Sequence, residues 1–288
     1  MPLRIGIDSY SYHRLLGELR PGEHPPVRRF AGGPLDVIAH ALQLRVEGVS
    51  VETCFLPPCD RFDAGSLRDA AGPLELVLAW GHPHGLEFGA SAEALVDLLA
   101  WLDHAATLGC SVVRCVAASP RFRCAAPVGD QIARTVAPLA AACARADELG
   151  VALALENHGD LRAAELLELI ERVGHDHLGV CFDTANALRV GDDPIEAAEL
   201  LAPLIRMVHL KDVVAPGPAT DPVAGPVSVP YGEGVVPIGE LLGTLQRAGF
   251  AGLACVEVGQ LAAGADELAL VETCVARLRA YSFPNDAR

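Results

Sequence analysis

The sequence predicts an α/β fold, a (β/α)8 TIM barrel forming a single domain over residues 1–288, on three observations. Short apolar or β-branched runs recur along the whole chain, and each is followed by a stretch with helical spacing. Eight such runs occur, at 4–8, 48–53, 76–80, 111–117, 151–156, 178–183, 206–210 and 253–258. Spread over eight units, 288 residues leave 36 for each, enough for a strand, a helix and two loops. An open doubly wound sheet would also alternate strand and helix, but it requires no eighth strand, and no GxGxxG follows the first run.

The connecting segments carry matching signals. After the first strand, residues 17–34 form a long connection. Between Leu161 and Val173, apolar Leu166, Leu169, Ile170 and Val173 follow the i, i+3, i+4, i+7 pattern, and Gly174 stands where a left-handed helix end is wanted. Asp193-Pro194 and Val236-Pro237 place proline near the first helical turn, where its missing N–H costs least. Residues 213–230, with five prolines and two glycines, read as an extended loop after the seventh strand. Long loops on that face often shape sites. No fixed-period repeat or low-complexity linker interrupts the chain, in keeping with one domain.

Composition narrows the function. Acidic residues outnumber basic ones by 37 to 22, a net charge of −15, so no overall positive field favours a nucleic acid as partner. No apolar run of eighteen residues lacks a charge or a breaker, and the first residues lead into a strand-like segment. A cytoplasmic protein without a membrane span or signal peptide is therefore expected. The nine cysteines are odd in number and show no CxxC spacing, which points to core thiols rather than disulfides or a thiolate zinc site. Of the 22 basic residues only Lys211 is a lysine.

In such a barrel the residues that end the strands converge on one mouth. They read Asp8 or Ser9, Glu52, Gly81-His82, Arg114, Glu156-Asn157-His158, Asp183, His209 with Lys211-Asp212, and Glu257. The last four strands thus end in Glu156, Asp183, His209 and Glu257, an oxygen-rich set suited to a divalent cation. Any one of these carboxylates needs only a neighbouring arginine. Three at one rim, beside an imidazole, need a cation or protons between them. His158 falls on the side of Glu156 and is a candidate substrate donor or second base, with a surface-loop histidine as the alternative. Lys211, two residues past His209, offers a compact ammonium. His82 and His84 follow the third strand, and Trp80 offers an apolar wall for a sugar ring, unless they form a polar loop and a packed aromatic. Arg114, Glu52 and Asn186 complete the candidate substrate contacts. Glu233, in a Gly-Glu-Gly turn, is a further candidate for the mouth, although the glycines alone justify a tight turn.

The runs LALENHGD (153–160), GVCFDTANAL (179–188), VHLKD (208–212), YGEGVVPIGELL (231–242) and CVEV (255–258) resemble the xylose isomerase-like TIM-barrel superfamily, the sugar-phosphate isomerase/epimerase family. IGIDSYSYHR and VEGVSVET in the first half resemble it more loosely. The resemblance implies that Glu156, Asp183, His209 and Glu257 bind one divalent metal, Mn²⁺ first, with Mg²⁺, Zn²⁺ or Co²⁺ as alternatives. It also implies that Glu156 and Glu257 exchange protons with the substrate. A metal holding a carbonyl and a neighbouring hydroxyl would stabilise the enediolate formed when the α proton leaves. Asn186 stands where an Asp-x-x-His pattern has histidine in ketose 3-epimerases and endonuclease IV, a departure from their detailed chemistry. The implied function is a metal-dependent isomerase or epimerase of a sugar, keto-sugar or polyol derivative. The alternative is a lyase, a dehydratase or the C-glycoside-cleaving barrel subunit acting on a 3-keto sugar. An endonuclease IV-like enzyme is disfavoured by Asn186, Arg114 and the net charge. A non-catalytic sugar-binding protein remains on the same scaffold. A homo-oligomer or a small partner subunit is expected by analogy alone.

Overall fold

In a computed structural model describing residues 3–26, 29–119, 125–214 and 226–281, eight parallel strands close into a barrel. They are β1 (Arg4–Asp8), β2 (Gly48–Glu52), β3 (Glu75–Ala79), β4 (Val112–Cys115), β5 (Ala152–Glu156), β6 (Leu178–Asp183), β7 (Ile205–Leu210) and β10 (Leu253–Val256). The closure is β1 against β10, with Ile7 opposite Val256. Helices α1 (Pro34–Leu44), α2 (Ala64–Ala71), α3 (Ala92–Leu108), α4 (Val128–Glu148), α5 (Ala163–Val173), α6 (Asn186–Arg189), α7 (Pro194–Leu201), α8 (Ile238–Arg247) and α9 (Glu267–Ala280) lie between and after the strands.

Alternation along each strand sorts the side chains into two cores. Val77, Ala154, Cys181, Met207, Leu253 and Cys255 fill the barrel interior. Leu78, Leu155, Phe182 and Leu210 point outward into the helix layer. Room at the narrow base is made by glycine: a Cβ on Gly6 would stand 2.7 Å from Leu253 Cδ2. The same parity, carried upward by two residues, turns Glu52, Arg114, Glu156, Asp183, His209 and Glu257 inward.

The helix signals hold. Gly174 ends α5 at φ 61, and Asp193 caps α7, accepting from the N–H groups of Ile195 at 2.8 Å and Glu196 at 3.1 Å. Pro194 opens α7 and Pro237 stands immediately before α8, both near the first turn. Among the described residues six of the eight cysteines are buried and all eight are free thiols; Cys124 lies outside the described residues. No described helix is long and apolar enough to cross a membrane.

Three expectations are corrected. The third strand covers Glu75–Ala79, so Trp80 lies beyond it and keeps the outward parity of Leu78. The segment read as an extended loop contains a two-stranded antiparallel ribbon, β8 (Val213–Val214) with β9 (Val227–Ser228), while 215–225 lie outside the described residues. Glu233 faces solvent and pairs with Arg277 instead of lining the mouth.

The glycines around Glu233 serve a buried knot. Asp212, 1% exposed, accepts from the backbone N–H groups of Val213, Gly232, Gly234 and Val236 at 2.8–3.0 Å. A Cβ on Gly234 would stand 2.0 Å from Asp212 Oδ1. Gly234→Ala and Asp212→Ala are therefore each expected to cost about 2–4 kcal/mol, one by collision and the other by leaving buried donors unpaired. Urea unfolding checks this; midpoints equal to wild type for both variants would contradict it.

Candidate active site

Of the inward strand ends, Glu52, Arg114 and Glu257 line a cavity of about 460 Å³, while Glu156, Asp183 and His209 are buried and do not line it. Glu52, Arg114, His158, Asn186, Lys211 and Glu257 are among its walls. His209 does not line the cavity itself: it is buried, 1% exposed, with its ring between three acids. Nδ1 is 2.8 Å from Glu257 Oε2 and 4.0 Å from Glu156 Oε2, and Nε2 is 3.5 Å from Asp8 Oδ2. None of these contacts has hydrogen-bond alignment: both His209 nitrogens, Asp8 Oδ2 and Glu257 Oε2 are buried without a hydrogen-bond partner. Donor atoms of Asp183, His209 and Glu257 lie within 4.8 Å of one another, and so do those of Glu156, Cys181 and His209. The four residues expected to form one cage thus come together as two overlapping groups sharing His209.

Two buried cations fix the acids. Arg114 Nε donates to Glu156 Oε2, and Nη1 lies 3.6 Å from Glu52 Oε1. Lys211 Nζ sits 2.8 Å from both Asp183 Oδ2 and Glu257 Oε1. Asn186 Nδ2 donates to Glu156 Oε1 at 3.0 Å, and the N–H groups of Ala185 and Asn186 both donate to Asp183 Oδ1. The position that carries histidine in the Asp-x-x-His pattern therefore orients a glutamate here. Asn157 ties the strand ends together: its Nδ2 donates to the Asp183 carbonyl at 2.9 Å and its Oδ1 accepts from Asp183 N–H at 2.7 Å.

Electrostatics follow from burial and these pairings. Burial pushes Glu52 up to about 8, even with Arg114 beside it, so its carboxyl keeps its proton at neutral pH. Burial also raises Asp8 and Asp183. For Glu257 burial acts in the same direction, but Lys211 and His209 outweigh it and hold the carboxyl well below its ordinary range. Burial opposes a charge on His209, while Cys181 and Glu257 hold it well above the usual imidazole value. His158 is driven well below that value by burial, with Arg114 and Lys211 adding repulsion. It is a neutral ring whose Nδ1 is buried and unpartnered.

Trp80 is not at the mouth. It is fully buried, its indole N–H donates to Asp97 in α3 at 2.7 Å, and His82 stacks on it at 5.1 Å from the cavity side. Sequence reasoning placed Asp8 among the strand ends at the mouth without giving it a role, and it passed over Cys181, which sits two residues below Asp183 with the same parity. It also passed over Asp160, whose carboxylate accepts from the N–H groups of Ala118, His158 and Leu161 and which burial raises to about 6.

A model of the xylose isomerase-like TIM barrel matches residues 41–274. The chain belongs to this family. An uncharacterized protein of Escherichia coli (strain K12), YihM, is 35% identical over 65 residues, 23% of this chain. The matched stretch spans only 20% of that relative's length. A structure of L-ribulose 3-epimerase superimposes with a TM-score of 0.74 at 20% identity, covering 97% of this chain and 94% of its own. The IOLI protein with a bound zinc atom does so at 0.68 and 16% identity, over 96% and 95%. At these identities the structural likeness establishes the barrel.

Proposed function

We propose that this family member is a divalent-metal-dependent isomerase or epimerase of a sugar, keto-sugar or polyol derivative, with Glu156 and Glu257 as its acid/base pair. The supporting observation is the set of buried polar atoms without partners around His209: its two nitrogens, Asp8 Oδ2 and Glu257 Oε2. A buried donor or acceptor left unpaired is costly, and a cation answers this set where a further hydrogen bond does not. Mixed carboxylate and imidazole donors fit a hard or borderline ion, Mn²⁺ first. Asp183, His209 and Glu257 would hold it, with Glu156 as the fourth donor. When bound, the ion supplies Lewis-acid polarisation of a substrate carbonyl.

The chain's own residues do the rest. One glutamate removes the proton from the carbon next to the carbonyl, and the other delivers a proton to the enediolate. Arg114 and Asn186 hold Glu156 by both oxygens, so it meets the substrate in one orientation. Lys211 fixes Glu257 and Asp183 together. Neutral His158 and the protonated Glu52 offer hydrogen bonds to substrate hydroxyls without adding charge. The free thiols suit the reducing cytoplasm, where we place the enzyme.

The test is proton NMR in deuterated buffer, with the Mn²⁺-loaded protein and a panel of ketoses and 3-keto sugars. Solvent deuterium should enter at the carbon next to the carbonyl, with the carbon skeleton and its oxygens retained. Loss of water or of an aglycone would move the reading to a lyase, and absence of exchange on every member would overturn it in favour of a binding protein.

A further inference from the structure

Among the described residues, four arginine and lysine side chains face the cavity: Arg20, Arg114, Arg189 and Lys211. Arg114 and Lys211 are taken up by carboxylates, whereas Arg20 and Arg189 form no ion pair among the described residues. In a chain of net charge −15, Arg20 and the exposed Arg189 thus add positive charge at one mouth.

Arg20 is built into place. Its backbone N–H donates to Glu23 Oε2 at 2.9 Å, and the Glu23 side chain is fully buried against His13 Nε2, also at 2.9 Å. Glu23 further accepts from Leu261 N–H at 3.0 Å, and Gln260 Nε2 donates to the Pro21 carbonyl at 3.2 Å. These bonds pin residues 20–23 to the segment that follows β10. The guanidinium lies over Tyr10, 4.9 Å from the ring centre, and Nε donates to the Tyr10 hydroxyl at 3.1 Å. That hydroxyl in turn donates to Glu18 Oε1. Stacking and the Nε bond fix the plane of the fork, while neither terminal nitrogen has a hydrogen-bond partner among the described residues. Gly259, two residues past Glu257, keeps the fork clear: a Cβ there would stand 3.1 Å from Nη1.

A guanidinium held in one plane with its terminal donors free matches a carboxylate or phosphate, whose oxygens accept two parallel bonds. A single sugar hydroxyl offers one neutral oxygen and so a weaker match. We propose that Arg20 anchors an anionic group, a carboxylate or a phosphate, carried by the substrate, with Arg189 adding a second positive charge at the mouth. The enzyme would then act on a sugar acid or sugar phosphate, an inference that rests on the cavity being a carbohydrate site.

Isothermal titration of the Mn²⁺-loaded protein with inorganic phosphate, D-glucuronate, D-glucose 6-phosphate and D-glucose tests this. The anionic probes should bind more than tenfold tighter than glucose, and the tighter of the phosphate and carboxylate arms names the group. Arg20→Ala should weaken the anions by roughly 10- to 100-fold and leave glucose unchanged. Arg20→Lys should restore part of the loss, and Gly259→Ala, which crowds Nη1 without touching the pinned segment, should weaken the anions in a chain that still folds. Equal binding of anions and glucose by the wild type, or anion binding indifferent to all three variants, overturns the proposal. Anion binding without deuterium exchange on any keto-sugar supports the anchor and counts against the catalytic reading. Exchange without anion preference counts against the anchor alone.

Discussion

Arg114→Met is expected to destabilise the fold by about 3–5 kcal/mol at pH 7, the range for removing one partner of a buried ion pair. Arg114 is 7% exposed and serves two acids, Glu156 and Glu52, that are themselves 1% and 5% exposed. Methionine fills the volume but leaves the Glu156 carboxylate without its arginine and facing the acid of Asp183. The pH dependence has a definite sign. Glu52 already titrates at about 8 in the fold, far above the ordinary value of 4.5, so the folded state binds the extra proton. Its ionisation therefore lowers stability as pH rises between those values. Without Arg114 the carboxyl is pushed further in the same direction, and the loss should be smaller at pH 5 than at pH 8. Urea unfolding at the two pH values measures this. A loss below about 1 kcal/mol at both would mean the pairing is no stronger than an exposed salt bridge.

Glu257→Gln should lower divalent-metal affinity by more than about 100-fold, beyond the range seen when only a supporting contact is lost. Deuterium exchange into substrate should fall by roughly 10²–10⁴, the contribution of a positioned acid or base. The physical reason is that Glu257 touches both His209 and Lys211, at 2.8 Å each. The amide keeps the shape and loses the charge. The substitution should also remove part of the acid limb of stability. The Glu257 carboxyl is held well below its ordinary range, so its stabilisation is present above about pH 4.5 and is lost as pH falls through the folded value. Calorimetric titration of Mn²⁺ and unfolding from pH 3 to 7 check both. Unchanged metal affinity with unchanged exchange would remove Glu257 from the site.

The strand ends were legible in the sequence because parity and apolar runs fix them together. Once 152–156 is a strand with Ala154 inward, Glu156 must point inward too, and the same holds for Asp183 above Cys181 and His209 above Met207. Trp80 shows where this fails. A strand that ends at Ala79 leaves the tryptophan on the outer parity, and only the packed α3, with Asp97 ready to accept, shows what it does there. The lone Lys211 hinted at a required ammonium, but its bridge between Asp183 and Glu257 depends on two neighbouring strand ends that no local pattern links. Arg20 was hidden for a similar reason. Residues 17–34 read as a plain connection because residues 20–23 are ordered by bonds from Glu23 to His13 and to Leu261, the latter more than two hundred residues away. Glu233 misled in the opposite way: its flanking glycines serve Asp212, and the acid between them faces out.

The most direct test of the whole account is the divalent-metal content of the purified chain after Mn²⁺ loading and desalting, for the wild type beside an Asp183→Asn, His209→Ala double variant. One equivalent per wild-type chain and roughly a tenth or less in the double variant is the expected result. Equal content in the two proteins, or none retained by the wild type, would contradict a metal centre at the meeting point of β5, β6, β7 and β10.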